Sequence, residues 1–114
     1  EAELRAAGVP LFSVDTHRPA GAFDLLAFNL SAELTYTNLV NCIDLAGVPV
    51  RAADRRADHP LVAVGGHCTY NPEPIADFVD LVHATGRHYQ DLVARLDFAL
   101  HHPHQRDHAR SRAP

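Results

Sequence analysis

The apolar run Leu61-Val62-Ala63-Val64 passes without a spacer into Gly65-Gly66, and His67-Cys68-Thr69-Tyr70-Asn71-Pro72-Glu73-Pro74 follows at once. A short β-branched run of this kind reads as a buried strand. Paired glycines at its end make a tight loop, either as a plain turn or as a place where backbone approaches a ligand closely.

Strand and helix patterns alternate on both sides of that run. Glu1 to Gly8 reads as the last turns of a helix closed by a C-terminal glycine, so the chain begins mid-element and is read as a piece. Val9 to Val14 offers a short strand, and Asp15 to Ala20 a polar, Pro-containing connection. Ala22 to Leu30 is a longer apolar run, of the kind found in parallel sheets covered on both faces. Ser31 stands at an N-cap position, and Leu34, Leu39, Cys42, Ile43 and Leu45 then form an apolar helical face that ends at Gly47. Arg51 to His59 carries charges of alternating sign and reads as a solvated loop. After Pro72 and Pro74 start a short turn, Phe78 to His83 is the next strand pattern. Tyr89, Leu92, Val93, Leu96, Phe98 and Leu100 recur at helical spacing, whereas 101–114 is a His- and Arg-rich tail with too little apolar content to fold.

This alternation predicts an α/β layer fold with a mainly parallel sheet over 1–100. Such sheets bind ligands beyond the carboxyl ends of their strands. The loops Asn29 to Thr37 and Gly65 to Pro74 both leave strands at that edge, which makes their convergence the candidate site. With 114 residues, 46% of them hydrophobic, and a net charge of −4, the chain has the makings of one modest core and no general affinity for nucleic acid. No membrane span and no secretory leader are visible, and two cysteines are too few for a disulfide scaffold, so a cytoplasmic setting with free thiols is expected. All ten basic residues are arginine, which reflects coding bias and points to no activity.

Glu33-Leu34-Thr35-Tyr36-Thr37-Asn38, Asp44-Leu45-Ala46-Gly47-Val48-Pro49, Arg51-Ala52-Ala53-Asp54-Arg55, Gly65-Gly66-x-Cys68 with Asn71-Pro72-Glu73-Pro74, and Ala76-Asp77-Phe78 occur in that order. Over roughly residues 1–86 this succession resembles the N-terminal cobalamin-binding-type domain of B12-binding radical SAM proteins. The resemblance implies a flavodoxin-like (Rossmann-like) three-layer domain, here lacking its first strand. It also implies a following radical SAM barrel that holds an iron–sulfur cluster and S-adenosylmethionine. Cobalamin would then lie against Gly65, Gly66, His67, Cys68 and Thr69, with Ser31, Glu33, Thr35 and Thr37 adding hydrogen bonds. In the plain alternative Ser31 caps the helix and Glu33 satisfies its first-turn amides.

The sequence also departs from that family. The Cys-x3-Cys-x2-Cys pattern of the cluster is absent, since Cys42 and Cys68 are the only thiols. Where the family has an acidic Gly-Asp-Gly-Glu turn, this chain has Ala84-Thr85-Gly86-Arg87-His88, and no counterpart of the tail is recognised. Asp15 to Gly21 is one residue too long for an Asp-x-His-x-x-Gly cobalt-ligand loop, so His17 reads as a solvated turn residue. His67 and Cys68 are metal ligands by type but adjacent, with no second pair at zinc spacing, and no catalytic or metal set is expected in this chain. If the first strand is missing, Val9 to Val14 has lost its neighbour and the isolated chain should be marginally stable. The function read here is a cofactor-binding module, not catalytic by itself, whose partner is the radical SAM domain of its parent. The alternative is a structural or protein-interaction domain of the same fold without the cofactor. A flavodoxin-like mononucleotide binder is a third, weaker reading, because its hydroxyl-rich phosphate loop would lie outside this sequence.

Overall fold

Leu61, Val62, Ala63 and Val64 are all buried, and in the computed structural model they open the middle strand of an all-parallel sheet. The structure describes residues 1–84, Ala94, Asp97, Phe98 and 100–102. Among these, the strands are β1 (Leu25–Asn29), β2 (Leu61–Gly66) and β3 (Leu81–Ala84), in the spatial order β1-β2-β3. Two helices accompany them, α1 (Ala2–Ala7) and α2 (Tyr36–Leu45). The arrangement is that of a flavodoxin-like domain lacking a strand. The helix pattern at 89–100 and the tail at 103–114 lie largely or wholly outside the described residues.

One face of the sheet carries the core. Val62 and Val64 of β2 cluster with Leu39 and Ile43 of α2, with Ile75 of the 3-10 segment Glu73–Phe78, and with Leu30, Ala46, Val48, Cys68 and Val79. Leu26 and Phe28 pack against the same cluster from β1, but β1 is an edge strand and its residues are half-buried or exposed. The covering on both faces expected for this run is therefore incomplete. Leu34, expected on the apolar face of the helix, is 88% exposed, because a 3-10 turn (Glu33–Thr35) precedes α2 and turns it outward.

Val9 to Val14 is not a strand. Its single sheet-like contact is an antiparallel bridge between Phe12 and Pro19, and Val14 is 87% exposed. The segment serves the end of α2 instead. Leu11 N–H donates to the Leu45 carbonyl (2.8 Å), an acceptor that the helix itself leaves without a partner, and Ala20 N–H donates back to Leu11 (2.7 Å). Arg5 joins α1 to the same helix through Asp44 (2.8 Å) and Asn41 (2.5 Å). Gly8 closes α1 in the left-handed region, as its position predicted.

The loop expected to be solvated supplies a buried cation. Arg55 is 2% exposed, and its Nε lies 3.2 Å from Asp80 Oδ2. Its terminal nitrogens donate to the carbonyls of Pro49 (3.0 Å) and Phe78 (2.6 Å). Asp80 Oδ2 also accepts the Val62 N–H (2.8 Å), while Asp80 N–H donates to the Val62 carbonyl (2.8 Å). This explains why β3 begins at Leu81 and not at Phe78, since Asp80 is held by its side chain at the mouth of the β2–β3 ladder. Breaking a buried pair by removing one partner leaves a charge without compensation, at a cost of about 3–5 kcal/mol. Asp80→Ala should lose about that much in urea unfolding, and the double variant Arg55→Met/Asp80→Leu should lose less than Asp80→Ala alone.

Candidate functional site

The two loops that leave β1 and β2 are stitched to each other at the carboxyl edge of the sheet. Leu30 N–H donates to the Gly65 carbonyl (2.7 Å), and Cys68 N–H donates to the Leu30 carbonyl (3.0 Å). The convergence expected from the sequence is present, with the loops side by side. Gly66 makes the contact possible. Its φ of 103° is one that side-chain-bearing residues rarely adopt, and a Cβ there would lie 2.4 Å from Asn29 Oδ1 and 2.5 Å from the Leu30 carbonyl oxygen. The close approach that this glycine permits is therefore made by the chain's own loop. Gly65 differs, because a Cβ there would meet only the His83 carbonyl, at 3.7 Å.

The remaining predicted residues divide into an inner and an outer set. Thr69 is buried, and its hydroxyl lies 2.7 Å from the Gly66 carbonyl and 3.0 Å from that of His83, so its proton is shared between two backbone acceptors. Cys68 is buried beside it, and Thr35 donates from its hydroxyl to the Ala32 carbonyl (2.6 Å). Ser31, Glu33, Thr37 and His67 are exposed. Ser31 does not cap α2; Thr35 occupies that position and makes no side-chain cap bond. His17 is exposed on its turn with φ 53°.

Beside this rim lies a groove that sequence reasoning missed. Tyr36, Thr37 and Val40 of α2 face Pro74, Ile75 and Phe78 across a volume of about 290 Å³. The spacing of Tyr36 and Val40, one helical turn apart, was the available signal. Tyr36 also reaches the inner set, its hydroxyl donating weakly to the Cys68 carbonyl (3.4 Å). Burial holds the Tyr36 phenol above its ordinary value of 10.0, and the Cys68 thiol and the Glu33 carboxylate act in the same direction.

A family model described as radical SAM proteins, N-terminal, matches residues 1–110. The chain belongs to this family. No curated protein and no solved structure matches the chain. The family match continues past Ala84 and into the tail, where the sequence showed no recognisable counterpart. For a radical SAM N-terminal domain, the thiol chemistry is limiting. Cys42 lies half-buried on α2 and Cys68 lies buried after β2, both free, and no group of three metal-ligating side chains occurs among the described residues. These residues do not fit an iron–sulfur cluster, which needs three thiolates in one place. No helix among the described residues is long and apolar enough to cross a membrane.

Two consequences of this geometry can be measured. Gly66→Ala combines a strained φ with contact against backbone and should destabilise the domain by about 1–3 kcal/mol, whereas Gly65→Ala should change denaturant stability by less than about 1 kcal/mol. For Tyr36, a raised folded value means that the folded state holds the phenolic proton more tightly than the unfolded chain. Its contribution is complete below pH 10.0 and is lost as pH rises through the folded value. The alkaline decline in stability should therefore be shallower in Tyr36→Phe than in the parent, measured as denaturation midpoints across that range.

Proposed function

We propose that this chain is a non-catalytic accessory module of a radical SAM protein, working as a folded surface against which the parent's catalytic domain is placed. The observation that carries this reading is the internal use of the glycine loop. Gly66 accommodates Asn29 and Leu30, and Thr69 and Cys68 are buried behind it. An edge committed in this way offers backbone to its own chain before it offers any to a ligand. The apolar groove between α2 and Glu73–Phe78 gives such a module a surface for protein contact. In this reading, S-adenosylmethionine and the iron–sulfur cluster belong to the parent's catalytic segment.

A cobalamin-binding module is the second reading, and one observation favours it. Two loops leave adjacent parallel strands at the same edge, the place where sheets of this type hold cofactors. The groups able to take part are the outer set, Ser31, Glu33, Thr37 and His67, together with the roomy Gly65. Gly66, Cys68 and Thr69 would support that surface from behind without touching the ligand.

Titrating the folded chain with hydroxocobalamin separates the two. The accessory reading expects no shift of the visible bands and no co-elution on gel filtration at high micromolar ligand. A saturable shift that weakens in Ser31→Ala or Thr37→Ala would overturn it in favour of cofactor binding.

A further inference from the structure

The groove between α2 and Glu73–Phe78 has an apolar floor and flanks of one electrical sign. Tyr36, Val40, Pro74, Ile75 and Phe78 line it, with Thr37 as the polar member. The segments that build and flank it, Glu33–Thr35, α2 and Glu73–Phe78, carry Glu33, Asp44, Glu73 and Asp77 and no arginine, lysine or histidine. Glu33 stands near the Tyr36 end, where its carboxylate opposes ionisation of the phenol. Residues three apart share a face of a 3-10 helix, so Asp77 lies on the side of Pro74. Asp44 is taken up by Arg5 (2.8 Å), and Arg55, which reaches the Phe78 carbonyl, is buried against Asp80. Glu33, Glu73 and Asp77 are exposed, and among the described residues no ion pair involves them.

We propose that this groove takes a basic amphipathic helix of the parent's catalytic domain. Two of its apolar side chains, one turn apart, enter between α2 and Glu73–Phe78, and its arginines or lysines meet Glu33, Glu73 and Asp77. The inference rests on the accessory-module reading and names the chemistry of the contact which that reading requires.

Size, spacing and charge together select this occupant. A volume of about 290 Å³ falls just below the roughly 300–1,000 Å³ of ligand pockets, which suits a pair of aliphatic side chains better than a bulky cofactor. Tyr36 and Val40 stand one helical turn apart, about 6 Å along the axis at about 1.5 Å per residue, and this matches anchors at i and i+4 of a helix laid in a groove. Apolar anchors alone would admit many partners. The carboxylates on both walls narrow the choice, because they attract a segment whose flanking residues are cationic and repel an acidic one. A second copy of this chain is disfavoured on the same ground, since each copy carries a net charge of −4.

The probe is a fluorescently labelled synthetic helix with leucines at i and i+4 and arginines at the flanking positions, titrated with the folded chain by fluorescence anisotropy. Binding should saturate, weaken as salt is raised, and fall about two- to fivefold in each of Glu33→Gln and Asp77→Asn. Thr37→Arg, an exposed change in the groove wall, should weaken it at least about tenfold, as should alanines in place of the peptide's leucines. Asp15→Asn, exposed on a turn outside these segments, should leave it unchanged, and all four variants should keep the parent's circular dichroism. A peptide with glutamates for arginines should not bind. The proposal is overturned by absence of saturable binding to the folded chain, by equal binding of the glutamate peptide, or by indifference to Thr37→Arg. Self-association of the chain that Thr37→Arg abolishes would also overturn it, by making a second copy the occupant. These readouts are separate from the visible bands of hydroxocobalamin. A failed helix contact leaves the accessory reading standing, whereas cobalamin binding removes that reading whatever the peptide does.

Discussion

The buried pairing of Arg55 with Asp80 is the constraint on which the rest of this small sheet depends. Three segments distant in sequence meet there: the connection after α2 through Pro49 and Val50, the end of Glu73–Phe78, and the first bonds between β2 and β3. An isolated buried ion pair contributes little by itself, because desolvation offsets the Coulomb attraction. What it adds here is specificity of register. With both Asp80 backbone and carboxylate bound to Val62, β3 cannot slide along β2 without placing a guanidinium in the core unopposed. Arginine suits the position, since its fixed fork of donors reaches three carbonyls and lies against a carboxylate at once.

The same sheet is closed differently at its other end. At the carboxyl edge no charge is involved; a glycine with positive φ lets two loops touch, and a threonine hydroxyl behind them satisfies paired carbonyls. One end is therefore held by a charged cluster and the other by close backbone packing. Between them Val62, Val64, Leu39, Ile43 and Ile75 supply the apolar area that drives the layers together.

Legibility in the sequence followed the length scale of the signal. Leu61 to Gly66 was readable because a β-branched run and its terminating glycines lie within a few residues of each other. The α/β alternation and the body of α2 were readable for the same reason. Arg55 was not, because Phe78 and Asp80 are separated from it by a whole strand and its neighbours Asp54, Arg56 and Asp58 give it the look of a solvated loop. Val9 to Val14 misled in the opposite sense: its apolar residues suggest a strand, but strand formation needs a neighbour, and the nearest unsatisfied acceptor was the end of α2. That the two loops meet at one edge was legible from the strands they leave. Which of its residues turn inward was hidden, since tertiary packing decides that Cys68 and Thr69 are buried while His67 beside them is exposed.

That division between inward and outward residues bears on how such an edge can change over time. Gly66 and Thr69 hold the loops from within, while Ser31, Glu33, Thr37 and His67 stand exposed on the same two loops and take no part in that closure. Substitutions on the rim leave the backbone lock intact, so its chemistry can drift almost independently of folding. Surface chemistry and stability are written in separate residues of the same two loops, and a lineage can revise the first without endangering the second.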